Sequence, residues 1–148
     1  MKLDWAMLAN YAEVRDGLVF VTGGGIDTVQ TPKLPAILNA TVIVRLLLHR
    51  TEANKPHAVE IEIMDEDGRS VAKVQAGVMV HLNPETPVGW DVPSTVALNI
   101  HGLQLQNEGR YSVEISADNA HLRTLNLRTK VNPAVPGPIT DPPPKSAN

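Results

Sequence analysis

The chain has 148 residues, a formal net charge of -3 and no cysteine, so it matches one ordinary domain that buries a stable core without disulfides. Thirteen basic residues against sixteen acidic ones leave no surplus for binding nucleic acid or an anionic membrane. No apolar stretch approaches the roughly 20 residues of a membrane span, and the start is too acidic for a secretory signal, so we predict a cytoplasmic protein.

The first part of the chain is organised around three consecutive glycines, Gly23 to Gly25. Before them we predict a strand at residues 3–9 and, at residues 11–15, a single helical turn at most. Residues 26–30 alternate like a strand, no Lys-Ser or Lys-Thr pair follows the glycines, and the GxGxxG spacing is missing, which disfavours a phosphate-binding loop. The glycines therefore predict a tight turn or bulge between a pair of strands.

Apolar residues then recur with a period of two, the pattern of half-buried strands. A long strand is predicted at residues 39–50, and two more at 57–63 and 71–82 form a hairpin across the turn Asp-Glu-Asp-Gly. A calcium loop fits this turn poorly because the distal glutamate is missing. The residues expected to face inward from the first two strands are Val42, Val44, Leu46, Leu48, Val59, Ile61 and Ile63.

The last predicted strands follow a proline-rich loop. In residues 94–105 the apolar alternation shifts by one residue at Gly102, which indicates a β-bulge. Residues 109–117 and 122–131 form a second hairpin through a turn at Asp118 and Asn119. About eight strands, with turns at intervals of about ten residues, predict an all-β fold: an antiparallel β-sandwich of immunoglobulin-like or jelly-roll outline.

The final residues differ in composition from the rest. Residues 132–148 hold six of the twelve prolines, and proline neither donates to a strand ladder nor leaves φ free. We therefore predict a β-sandwich domain over residues 1–131 and a Pro-rich C-terminal tail over residues 132–148, flexible or docked on a partner. Pro142, Pro143 and Pro144 are the candidate binding residues of the tail.

No set of residues has the spacing of a catalytic or metal site. Glu60 and Glu62 are spaced as a carboxylate pair would be, but so are the residues of any solvated strand face. The five histidines are scattered, and Ser112 and Ser116 lack the turn that exposes a nucleophile. We therefore predict no enzyme activity, no cofactor and no metal.

The loop from Asn83 to Pro93 is the candidate binding site within the domain. Its prolines stiffen it, and a loop tryptophan is an efficient contact residue, so Trp90, Asp91 and Pro87 are the candidate binding residues. The alternative is that Trp90 folds back over the end of the core, because exposing a tryptophan is costly.

Three segments resemble those of an uncharacterised bacterial family, domain of unknown function 6941: NYAEVRDGLVFVTGGGIDTV, HRTEANKPHAVEIEIMDEDGR and GRYSVEISAD. The similarity spans most of residues 3–127. It implies a compact all-β protein from a bacterium or bacteriophage. Because the family has no established activity, the resemblance implies no catalytic or binding residues.

These observations favour a non-enzymatic protein-interaction or structural module that binds a protein partner or self-associates. The alternative is a small-ligand or carbohydrate-binding module that uses the Asn83 to Pro93 loop, although the shortage of aromatic residues counts against sugars. Edge strands must be protected or paired with another chain, and Lys73, Glu60 and Glu62 could provide such protection.

Overall fold

The computed structural model describes residues 1–136, which form nine β-strands and one short 3-10 helix at Arg50–Glu52. The strands in chain order are β1 (Lys2–Arg15), β2 (Leu18–Gly24), β3 (Thr28–Thr31), β4 (Ala36–Leu48), β5 (His57–Asp65), β6 (Ser70–Val78), β7 (Val92–Leu105), β8 (Gly109–Ala117) and β9 (Ala120–Val131). The predicted all-β class is confirmed. In the described part of the chain, no helix is long and apolar enough to cross a membrane.

The strands form two sheets. The four-stranded sheet has the order β2-β1-β4-β7, and the five-stranded sheet has the order β3-β9-β8-β5-β6. Neighbouring strands are antiparallel except β3 and β9, which are parallel. One cluster of buried apolar residues draws on strands of both sheets.

The period-two pattern identifies the core correctly. All seven residues expected to face inward from β4 and β5 are at most 1% exposed. Val113 and Ile115 of β8 and Leu127 of β9 belong to the same cluster. Branched aliphatic side chains on alternate residues therefore hold the core between the two sheets.

Both predicted hairpins and the predicted bulge are confirmed. β5 pairs with β6, and β8 pairs with β9 through a turn at Asp118 and Asn119, which both have positive φ. In the β4–β7 pair, Asn39 stands opposite two residues, His101 and Gly102. Gly102 has φ +67, and its N–H donates to Asn39 Oδ1 at 2.7 Å. Glycine accepts this left-handed backbone without a steric cost, and the bulge fixes the register of the strands around it.

The predicted helical turn at residues 11–15 is wrong. These residues continue β1 and pair with β2, from Tyr11 opposite Thr22 to Arg15 opposite Leu18. A five-residue helix has little stability of its own. The ladder to β2 satisfies the backbone groups of this segment instead, so tertiary pairing decides its conformation.

The three glycines lie where the chain passes from one sheet to the other. Strands flank them as predicted, but β2 pairs with β1 while β3 pairs with β9, so the two strands do not pair with each other. Gly23 has φ +63 and Gly25 has φ +83. The N–H groups of Gly25 and Ile26 both donate to Leu8 O, at 2.8 and 3.0 Å. These donors are therefore used within the fold.

The candidate tail residues Pro142, Pro143 and Pro144 lie outside the described residues. Strand β9 ends at Val131, and Asn132 N donates to Thr31 O at 2.8 Å just beyond it. The division at residue 131 and the immunoglobulin-like or jelly-roll outline remain predictions.

Candidate functional site

Large apolar side chains are exposed together on the β1–β2 hairpin. Leu18 is 63% exposed and Phe20 is 46% exposed. We call the five exposed residues the hairpin surface: Tyr11, Val14, Leu18, Phe20 and Val21. Single exposed apolar residues are ordinary, but a group of them on one element is typical of a contact surface.

The hairpin extends beyond the strand that supports its base. The register of β1 with β4 runs from Lys2 to Ala9, whereas its register with β2 runs from Ala9 to Arg15. The two strands are joined by Asp16 (φ 51) and Gly17 (φ 74). Two successive residues with positive φ form a type I′ turn, which matches the twist of the flanking strands.

Other side chains of the hairpin are packed. Ala9, Ala12 and Ile43 are buried in a second small cluster, and Trp5, Met7 and Val19 pack against it in part. Ile43 points away from the main core, because its neighbours Val42 and Val44 on β4 face inward. The hairpin is thus anchored in part, and its exposed apolar side chains lie on both faces. The register places Tyr11, Leu18 and Phe20 on one face and Val14 and Val21 on the other.

Polar contacts fix the end of the hairpin. Glu13 accepts hydrogen bonds from Arg15 and from Tyr11, and these, that from Arg15 first, lower the pKa of Glu13. The Arg15 guanidinium also lies 4.9 Å from the centre of the Phe20 ring, a cation–π distance. Beside this end lies a groove of about 550 Å³, lined by Tyr11 to Val14, by Gly77 to Met79 and by β7.

The four edge strands of the described sheets differ in their protection. β6 carries Lys73, whose Nζ lies 2.9 Å from Glu60 of β5. β3 has four residues and is followed by Pro32, and β7 contains Pro93 and the bulge at Gly102. Charge, proline, bulges and shortness are the usual means of keeping a sheet edge from pairing. β2 has seven residues and carries neither charge nor proline.

The structure brings three predicted site residues together in the loop before β7. The Trp90 side chain is exposed, with 67% of the residue's surface accessible, and the backbone N–H of Trp90 donates to Pro87 O at 3.2 Å. Arg50 donates to the same carbonyl at 3.3 Å, and Lys2 Nζ lies 2.9 Å from Asp91 Oδ2. These contacts from neighbouring segments hold the loop, and they leave the indole at the surface.

A polar cluster at the turn of the β8–β9 hairpin was not predicted from the sequence. His57 Nε2 lies 2.7 Å from the carbonyl oxygen of Glu52, and His57 Nδ1 lies 2.6 Å from Asp118 Oδ2. These two acceptors, the carbonyl first, raise the pKa of His57. Asp118 also accepts from Ala58 N at 2.9 Å. Both ring nitrogens of His57 are therefore engaged within the fold, and the cluster fastens the turn.

Metal-ligating side chains do not converge in residues 1–136: no group of three or more His, Cys, Asp or Glu side chains there could hold a metal ion. His121, for example, lies 2.9 Å from Glu114 Oε2 and 3.0 Å from Thr124 Oγ1 on the outer face of the five-stranded sheet. The expectation that the protein uses no metal remains a prediction.

Comparison with known proteins identifies the family. The profile described as "Family of unknown function (DUF6941)" matches residues 4–130. The chain belongs to the DUF6941 family. The resemblance seen in the sequence is thereby confirmed. No protein of curated function matches this DUF6941 chain.

One solved structure similar to the DUF6941 chain is an immunoglobulin-like protein from Pseudomonas aeruginosa. The two share 11% sequence identity, with a TM-score of 0.38, over 87% of this chain and 95% of the other.

Proposed function

We propose that this DUF6941 protein is a non-enzymatic module that binds another protein through the hairpin surface. The observation that carries the proposal is the exposure of five large apolar side chains on a hairpin whose outer strand, β2, is an edge of the sheet formed by residues 1–136. Covering exposed apolar groups with a partner lowers the free energy of the complex. An open edge also offers unpaired backbone N–H and C=O groups to an added strand.

The contacts of two histidines support a binding role over a catalytic one. His57 is held between a carbonyl and a carboxylate, and His121 lies against Glu114 and Thr124. A general base needs a ring nitrogen within reach of a substrate proton. Both of these histidines instead serve contacts within the fold.

For the domain itself we propose an immunoglobulin-like β-sandwich. Tyr111, near the start of β8, donates its hydroxyl hydrogen bond to Asn107 O at 3.1 Å and accepts one from Asn107 N at 3.1 Å. A tyrosine bonded to the backbone a few residues upstream is typical of the corner between two strands in such sandwiches. We also propose a location in the bacterial cytoplasm.

The experiment is capture from a lysate of the source cells with three immobilised proteins: the wild type, Phe20→Lys and Val88→Lys. Val88 is 92% exposed in the Trp90 loop, so its variant is a matched control for adding a surface charge. We expect the wild type and Val88→Lys to retain the same protein, either a different chain or further copies of this one, and Phe20→Lys to lose it. Equal retention by all three, or retention of nothing, would overturn the proposal.

A second candidate function is binding of a small ligand or carbohydrate at the Asn83 to Pro93 loop. The observation that favours it is the exposed Trp90 side chain, held on a loop that Arg50 and Lys2 fix. Titrating a panel of glycans and metabolites while recording tryptophan fluorescence tests it. A response that Trp90→Phe abolishes would support ligand binding, and an unchanged spectrum across the panel would exclude it for those compounds.

A further inference from the structure

We propose that the partner of the hairpin surface is a second copy of this chain, and that the two β2 strands pair antiparallel about a two-fold axis at Val21. The two four-stranded sheets would then form one continuous sheet across the dimer. This inference rests on the proposed function and names its partner. Three properties of β2 point to it: its backbone, the sizes of its side chains and its charge.

The turn determines which backbone groups of β2 are free. In a type I′ turn closed by Arg15 and Leu18, the carbonyl of the first residue accepts from the N–H of the last. Hydrogen-bonding groups alternate along a strand, so Leu18, Phe20 and Thr22 bond to β1. Val19 and Val21 therefore direct their N–H and C=O groups away from the sheet. These groups are the donors and acceptors that a neighbouring strand requires.

The side chains of β2 are large in its first half and small in its second. Leu18, Val19 and Phe20 precede Val21, while Thr22, Gly23 and Gly24 follow it. An antiparallel pair centred on Val21 places Leu18, Val19 and Phe20 each opposite a smaller residue of the partner, and Val21 opposite itself. Leu18 then faces the partner's Gly24, and Phe20 faces the partner's Thr22. A parallel pair in register would instead place large residues beside large ones, so the size pattern is complementary to its own two-fold copy.

Charge also favours a second copy. Residues 17–26 contain no charged side chain, so two copies of this segment meet no like-charge repulsion across the pair. The charged residues of the hairpin, Glu13, Arg15 and Asp16, lie at its turn. The antiparallel arrangement brings that end beside the glycine end of the other copy, which keeps the two charged ends apart.

Cysteine crosslinking tests the register directly, because the wild-type chain has no cysteine. Residues directly opposite in a hydrogen-bonded antiparallel pair have Cα atoms about 5.5 Å apart, within the range that a disulfide spans. Val21→Cys would face its own copy at this distance. Val19→Cys is the matched control, since the two copies of residue 19 would be offset by four residues, about 13 Å along the strand.

We expect Val21→Cys to form a disulfide-linked dimer on mild oxidation and Val19→Cys to remain monomeric. Equal crosslinking of both variants, or of neither, would overturn the proposed register. Circular dichroism of each reduced variant, compared with wild type, establishes that the fold is intact before oxidation.

Sedimentation of the purified protein from micromolar to near-millimolar concentration tests the dimer without a crosslink. We expect a monomer–dimer equilibrium in the wild type and in Val88→Lys. Val21→Pro removes an N–H that faces away from the sheet, a position where edge strands tolerate proline, and it should raise the dissociation constant at least about tenfold. Phe20→Lys should weaken the dimer similarly, and it disturbs no backbone hydrogen bond if the proline variant fails to fold.

A wild type that stays monomeric throughout would overturn the second copy as partner. Phe20-dependent capture of a different protein from the lysate would in that case leave the proposed function standing. A dimer that neither Val21→Pro nor Phe20→Lys weakens would place self-association elsewhere and overturn the inference.

Discussion

Two hairpins of this protein have the same kind of turn and opposite surroundings. β1–β2 turns through Asp16 and Gly17, β8–β9 turns through Asp118 and Asn119, and all four residues have positive φ. β8 and β9 have the strands β5 and β3 on their outer sides. By contrast, the pairing of β1 with β4 ends at Ala9. A hairpin inside a sheet is held by its neighbours, whereas one at an edge has a free side that is available for binding.

The largest expected difference between the hairpins is in their side-chain packing. Ile115 of β8 is fully buried in the main core, so Ile115→Ala should lower the free energy of unfolding by about 2–5 kcal/mol through lost burial and a residual cavity. Urea unfolding measures this loss. A loss as small as that of a surface substitution, about 0.5 kcal/mol, would show that β8 is not packed as described.

The next largest difference should be in how much each turn contributes to stability. Asp118 accepts hydrogen bonds from His57 and Ala58, whereas Asp16 has no such contact with another residue in 1–136. Asp118→Ala and Asp16→Ala both place alanine at positive φ and share that backbone cost. The difference in their free energies of unfolding should therefore report the contacts alone, about 1–3 kcal/mol. Equal losses in the two variants would mean that the polar cluster contributes nothing to stability.

The polar cluster should also make stability depend on pH. The Glu52 carbonyl and then Asp118 raise the pKa of His57 above 6.5. A raised pKa means that the folded state favours the charged ring, so the contribution of His57 is complete below its unfolded pKa, about 6.5, and is lost as the pH rises through the folded pKa. The difference in unfolding free energy between wild type and His57→Gln should shrink over that interval. A constant difference would contradict the assignment.

The smallest expected effect is on the hairpin surface. Leu18 is 63% exposed, so Leu18→Ala should change the free energy of unfolding of the monomer by about 0.5 kcal/mol or less. The measurement is urea unfolding at a protein concentration low enough to suppress association, because a partner bound to the folded state would add to its apparent stability. A larger loss under these conditions would show that Leu18 packs within its own chain.

Local patterns predicted the strands well because burial on one face imposes a period of two. Val59, Ile61 and Ile63 follow that period, and the break in it at Gly102 marks the bulge. Residues 11–15 were predicted wrongly, since their strand exists only through pairing with β2. A short segment without its own preference takes its conformation from its partner.

The candidate site was less predictable. In Leu18 to Val21 every residue is apolar, so alternation cannot show which side chains face solvent. The contact of His57 with Asp118 joins residues 61 apart in the chain, and no local signal connects them. The parallel pairing of β3 with β9 is likewise a property of the whole topology.

That parallel pair has a consequence for how the protein is made. Thr28 of β3 lies beside Arg128 of β9, 100 residues later in the chain. On the ribosome β3 emerges long before its partner, so this edge of the five-stranded sheet cannot close until almost the whole domain has been synthesised. Contacts between residues so distant in sequence form slowly. The segment that becomes β3 therefore stays unpaired with β9 until β9 has been synthesised.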